Sequence, residues 1–168
     1  MNKILIIGGP GTGKTVLSIF LKELYSFPVY HLDDIEFKDN WKKKNKLIVK
    51  QKILSVLKNE NWIIEGNHLE NLDYILRDAD FVIFLDFNVF SQLSGIFKRF
   101  FSNFNQCIKN IKNCKEKISF SFFIKTILFN IKKKPKIIKK VMKYSSYRLF
   151  FLVNRNQVNE WIETLKSK

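Results

Sequence analysis

The segment Gly8-Gly9-Pro10-Gly11-Thr12-Gly13-Lys14-Thr15 constrains this chain more than any other. It fits G-x-x-x-x-G-K-[ST], the pattern of a phosphate-binding loop, or P-loop. The flanks fit as well. Lys3-Ile4-Leu5-Ile6-Ile7 is a short apolar run suited to a strand buried on both faces. After the loop, Val16, Ile19, Phe20 and Leu24 recur at helical spacing. The order strand, glycine-rich loop, helix is the setting in which such a loop works. Glycines let the backbone take positive φ and approach an anion with no Cβ in the way. The loop N–H groups and the helix N-terminus then face the phosphates. The pattern predicts that Gly8, Gly9, Pro10, Gly11, Thr12, Gly13, Lys14 and Thr15 bind the phosphates of a nucleotide. Lys14 reaches the β- and γ-phosphates, and the Thr15 hydroxyl binds Mg²⁺.

Strand and helix signals alternate along the rest of the chain, which predicts an α/β fold with a parallel sheet. The strand candidates are Lys3–Ile7, Val29–Leu32, Trp62–Glu65, Phe81–Asp86 and Arg148–Val153. Leu47–Lys58 reads as a helix with Ile48, Ile53, Leu54 and Leu57 inward. Leu69–Asp78 offers Leu69, Leu72, Ile75 and Leu76, and Gln157–Leu165 offers Val158, Trp161, Ile162 and Leu165. Residues 89–144 hold no strand signal and are rich in Phe and Lys. They read as two or three helices inserted between the fourth and fifth strands, the last opened by Pro135. With 168 residues and no linker or repeat, one domain is expected.

Ligands of open α/β sheets bind beyond the carboxyl ends of the strands. There the second strand ends in His31-Leu32-Asp33-Asp34, the third in Glu65-Gly66-Asn67-His68 and the fourth in Asp86. Glu65 stands where an acidic residue supports Mg²⁺ or its water. Asp33 can orient or deprotonate an acceptor hydroxyl; its competing role is a helix N-cap. Asp34 is a further acceptor-side candidate. Asp86 reads as a turn residue, and His31 and His68 as structural. Phosphoryl transfer also needs positive charge near the transferred group. Arg99 opens the insertion and can fold over the triphosphate, while Arg155, after the last strand, is placed near the nucleotide base.

The net charge is +15, almost wholly from lysine, and points to polyanionic ligands, nucleic acid among them, or to a solvated surface. Met1-Asn2-Lys3 runs directly into the first strand, which leaves no room for a secretory leader. No apolar run reaches the length of a membrane span. A cytoplasmic protein is expected. Seven residues apart on one helix, Cys107 and Cys114 would stand two turns apart, about 10 Å, too far for an unstrained disulfide. No His or Cys cluster has zinc spacing. The oligomeric state is not encoded in any of these features.

Several segments together resemble the DNA-topology-modulation (FlaR-type) proteins, a branch of the adenylate-kinase-like P-loop kinases. The matching segments are Ile4–Thr15, Pro28-Val-Tyr-His-Leu-Asp33, Trp41, Trp62-Ile-Ile-Glu-Gly-Asn67, Arg77-Asp-Ala-Asp80, Phe84-Leu-Asp-Phe87 and Lys98-Arg99. The resemblance spans nearly the whole chain. It implies a three-layer P-loop NTPase fold of the adenylate-kinase type. Such a fold has a five-stranded parallel sheet flanked by helices and a lid-like insertion. It also implies ATP-dependent transfer to a small acceptor, with Asp33 and Asn67 facing that acceptor and Arg99 in the lid. The chain departs from the family at Glu65, where Asp is usual. It departs again at Lys109, Lys112, Lys115 and Lys132–Lys134, where arginines are usual. Lysine cannot make the planar two-pronged contact to phosphate that arginine makes.

The expected activity is transfer of the γ-phosphoryl of ATP·Mg²⁺ to a small molecule, with nucleosides and nucleoside monophosphates among the candidates. Lys14, Asp33 and Arg99 would carry the chemistry, Thr15 and Glu65 the metal, and Asp34 and Asn67 the acceptor. The alternative is an ATP-gated nucleic-acid-binding protein gripping phosphates through the lysine-rich insertion. A GTPase switch is not supported, because Asn154-Arg155-Asn156-Gln157 is not the base-reading Asn-Lys-x-Asp.

Overall fold

A computed structural model describes residues 2–38, 42–98, 120–144 and 148–167. Arg99, Cys107, Cys114, Lys109, Lys112, Lys115 and Trp41 lie outside the described residues. Five strands form one sheet: β1 (Lys3–Gly8), β2 (Val29–His31), β3 (Trp62–Glu65), β4 (Phe81–Leu85) and β5 (Arg148–Leu152), in the order β2-β3-β1-β4-β5. Every pairing is parallel. The expected fold class is therefore observed. The strands β1, β3 and β4 are buried almost throughout, as their continuous apolar runs require when helices cover both faces.

Alternate side chains of β1 go to opposite faces. Ile4 and Ile6 pack with α1 (Lys14–Tyr25) and α8 (Arg155–Lys166). Leu5 and Ile7 pack in the other layer with α2 (Leu32–Glu36), α3 (Lys46–Leu57), α4 (Leu72–Asp78) and α7 (Lys134–Val141). Residues 89–98 form the helix α5, which follows β4 directly. Later, α6 (Phe120–Leu128), a π-helical turn (Phe129–Lys133) and α7 follow one another without a break. Pro135 stands in the first turn of α7, as expected.

Two helix faces differ from those expected. In α1 the buried residues are Leu17, Ser18 and Leu21, whereas Val16 is 73% exposed and Ile19 49%. The helix carries apolar residues around most of its circumference, so the spacing alone did not select a stripe. Ser18 is tolerated inside because its hydroxyl donates to the Thr15 carbonyl at 2.9 Å. In α3, Val49, Ile53 and Val56 are buried, while Ile48 and Leu54 are exposed. The face of α8 is as expected: Val158, Trp161, Ile162 and Leu165 pack on the α1 side of the sheet.

One polar cluster pins α7 to α4. Asp73 accepts from the Tyr144 hydroxyl at 3.0 Å and pairs with the Lys140 ammonium. Lys140 also donates to the Leu69 carbonyl at 3.0 Å. The hydrogen bond from Lys140 is the main reason the Asp73 carboxyl sits below its ordinary pKa; Tyr144 adds to it, and burial opposes both. A folded-state pKa below the unfolded one gives stability that is present above the ordinary Asp range. That stability is lost as pH falls through the depressed value. Asp73→Asn should therefore cost about 1 kcal/mol at neutral pH, the scale of one partly exposed charged hydrogen bond. It should also flatten the loss of stability on acidification. Urea unfolding at neutral and acid pH measures both effects.

Candidate active site

The P-loop joins β1 to α1. Gly11 (φ 71°) and Gly13 (φ 91°) occupy the left-handed region that glycine tolerates, and Gly13 is the N-cap of α1. The Gly9 carbonyl is held from inside the loop. It accepts from the Thr12 hydroxyl at 2.9 Å and from Lys14 Nζ at 3.0 Å. On one flank, the Asn67 amide receives the Gly8 N–H at 3.2 Å and donates to the Gly8 carbonyl. Asn67, expected against the acceptor, thus has both ends of its amide committed to the loop.

Beside the loop, Glu65 Oε1 accepts from the Thr15 hydroxyl at 3.1 Å and lies 2.7 Å from His31 Nδ1. Glu65 is only 8% exposed. Burial of a carboxylate is costly unless it is hydrogen-bonded, and these two partners meet that demand. The structure thus joins the two residues expected at the metal, Thr15 and Glu65. It adds His31, which was read from the sequence as structural without a partner. His68, also read as structural, packs against Asn71 and Glu36.

Asp33 lies in the first turn of α2, where the N-cap is His31; the capping role is excluded. Asp34 follows it in the same turn, and the Asp34 carbonyl accepts from Lys44 Nζ at 2.7 Å. Asp33 is an exposed residue, yet the protein packed around it pushes its carboxyl above the ordinary Asp pKa. Burial is the main cause; Glu65, Glu36 and Asp34 add to it, and Lys14 opposes. Asp86 does not turn freely into solvent but pairs with Lys134 at 2.6 Å, which docks the start of α7 on the end of β4.

The outer side of the loop is covered by α5. A Cβ on Gly95 would overlap the Gly11 carbonyl, and a Cβ on Gly9 would overlap the Gln92 amide. Arg155, expected near a base, instead bridges two backbones. Its Nη2 donates to the Ser91 carbonyl at 3.2 Å and the Gly11 carbonyl at 3.4 Å, and its guanidinium lies 5.8 Å from the Phe87 ring centre. A glycine in the middle of a helix was the sequence signal for this close approach. Gln92 and its partner Asn130 carried no such signal.

Solved structures align with the chain over nearly its whole length. A shikimate kinase from Acinetobacter baumannii in complex with shikimate has a TM-score of 0.61 at 15% identity, covering 99% of this chain and 92% of that one. The two chains share one fold. A gluconokinase from Sinorhizobium meliloti 1021 (TM-score 0.57, 11% identity) matches over 99% of this chain and 92% of its own. A shikimate kinase from Bacteroides thetaiotaomicron (TM-score 0.55, 18% identity) covers 99% of this chain and 96% of that one. No family model matches the sequence, and no curated protein does. Among the described residues, no helix is long and apolar enough to cross a membrane.

Gly95→Ala tests the packing of α5 on the loop. Helix propensity alone would favour the alanine by about 1 kcal/mol. Overlap with rigid backbone costs about 1–3 kcal/mol and should dominate, so the melting temperature should fall. Ser94→Ala, on the exposed side of the same helix, should not lower it. Thermal unfolding of the two variants decides.

Proposed function

We propose that this protein is an ATP-dependent phosphotransferase whose acceptor is a small molecule with a free hydroxyl group. One observation carries this reading: a phosphate loop with Gly11 and Gly13 in the left-handed region, Lys14 resting on the Gly9 carbonyl, and Thr15 hydrogen-bonded to the buried Glu65. ATP phosphates would lie on the backbone N–H groups of the Gly9–Thr15 loop, Pro10 having none, with Lys14 released from the Gly9 carbonyl to bind them. The hard oxygens of Thr15 and Glu65 suit Mg²⁺. A site with so few protein ligands fits a cation that keeps waters and phosphate oxygens. Among the described residues no group of three or more His, Cys, Asp or Glu forms an all-protein metal cage. Bound there, Mg²⁺ would neutralise charge on the transferred group. His31 holds the Glu65 carboxylate toward Thr15.

In the transfer step Asp33 accepts the acceptor's hydroxyl proton. The acceptor oxygen forms a bond to the γ-phosphorus, and the bond from that phosphorus to the bridging oxygen of ADP breaks. Lys14, and Arg99 from the insertion, would stabilise charge on the phosphoryl oxygens, while Asp34 orients the acceptor. Asn67 contributes by shaping the loop at Gly8, and Arg155 by supporting it at Gly11. The resemblance to DNA-topology-modulation proteins, and a cytoplasmic setting, agree with such an enzyme.

A second reading rests on the +15 charge and on exposed Lys132, Lys133, Lys136, Lys139 and Lys143 around α7. It is ATP-gated binding of nucleic acid. Its mark is an affinity that falls steeply with salt.

Phosphorus NMR with ATP·Mg²⁺ and a panel of nucleosides, polyols and nucleoside monophosphates tests the main reading. A new phosphate ester should form on a hydroxyl compound. Lys14→Ala should lower turnover about 10²–10³-fold, the scale of removing one charge-stabilising donor; full activity in that variant would sink the proposal. Transfer to monophosphates alone would overturn the hydroxyl acceptor. Asp33→Asn should lower kcat about 10²–10⁴-fold with ATP affinity retained. The wild-type rate should fall as pH drops through a value above the ordinary Asp range, because protonated Asp33 cannot accept the proton.

A further inference from the structure

We infer that the amide pair Gln92–Asn130 is a positioning latch, through which the helix leading back from the insertion fixes the phosphate loop. This rests on the reading that the loop holds ATP. Gln92 is 1% exposed, in α5, with its amide against Gly9. Its Nε2 donates to the Phe87 carbonyl at 2.7 Å and to Asn130 Oδ1 at 3.1 Å. Asn130 Nδ2 returns a hydrogen bond to Gln92 Oε1 at 3.1 Å and donates to the Thr126 carbonyl at 2.8 Å. Both amides thus use both of their N–H donors, and each oxygen accepts from the other residue. Turning either amide over would set N–H against N–H and oxygen against oxygen, so the pair defines one arrangement.

Asn130 reaches Gln92 from the π-helical turn. That turn also rephases the helix. Residues 129 and 137 would differ by about 80° on an uninterrupted α-helix advancing about 100° per residue. One extra residue in the wide turn removes most of that angle. Phe129, Ile137 and Val141 then all bury in the same core. The rare turn therefore does two things at once: it keeps α7 on the core and puts a polar side chain onto the wall of the loop.

That wall has little freedom of its own. The Gln92 amide fills the space a Cβ of Gly9 would need, and Gly95 touches the Gly11 carbonyl. A loop whose N–H groups must converge on an anion binds better when it is held in that shape beforehand. The latch supplies the holding force from the insertion side. Movement of α6 and α7 would then be felt at Gly9 through two side chains.

Asn130→Ala, Gln92→Ala and the double variant test this, with Ile131→Ala, an exposed neighbour, as control. Two readouts are needed: hydrogen exchange of the peptide 6–17 without nucleotide, and ATP affinity by calorimetry. Each single variant should speed exchange in that peptide and weaken ATP binding about fivefold, roughly the loss of one hydrogen bond. The double variant should be no more than about twofold weaker than either single one, because paired residues are not additive. The control should match wild type. Wild-type binding of ATP with unchanged exchange and affinity in both single variants would overturn the latch. So would loss of protection spread over the whole chain, which marks a general core role. Faster loop exchange in a protein whose wild type does not bind ATP would uphold the latch and sink the nucleotide reading instead.

Discussion

The site depends on the register of three parallel strands. Ile6 of β1 lies opposite Glu65 of β3, and Glu65 lies opposite His31 of β2. Because side chains alternate faces, a slip of one residue would turn Glu65 away from Thr15 and an aliphatic side chain toward it. The register is enforced by burial on both sides of the sheet, where Ile63 and Ile64 go to opposite cores. A purely apolar constraint thus sets the position of the most buried carboxylate in the site.

Around that fixed point the polar groups satisfy one another in the free protein. Lys14 rests on the Gly9 carbonyl, Thr15 on Glu65, and the Asn67 amide on Gly8. To reach a phosphate on the loop, Lys14 would have to leave the Gly9 carbonyl. The loop is gripped on two sides, by Asn67 from β3 and by Gln92, Gly95 and Arg155 from the β4 and β5 side. Both grips act through backbone atoms, so the phosphate-facing side of the loop is left to its own N–H groups.

Much of this was legible in the sequence, for physical reasons. Strands buried on both faces announce themselves as unbroken apolar runs, and the loop pattern fixes both its shape and its neighbours. The strand-end carboxylates followed from the rule that sites form at the carboxyl edge. Helix faces were less legible: α1 and α3 carry apolar residues all round, and only docking chose Leu17 and Leu21 over Val16 and Ile19. Contacts between side chains distant in sequence, such as His31 with Glu65 or Gln92 with Asn130, leave no periodic trace. The contacts of Arg155 with the Ser91 and Gly11 carbonyls were not legible either, because a guanidinium that binds carbonyls carries no mark of it in a sequence.

The wide turn at Phe129–Lys133 also bears on how this chain can change length over evolution. The start of the turn is anchored by Asn130 on Gln92, and the helix that follows it by Lys134, Ile137 and Lys140. Loss or gain of a single residue between those anchors would rotate one set by about 100° relative to the other. Homologous chains that keep both anchors are thereby held to one spacing.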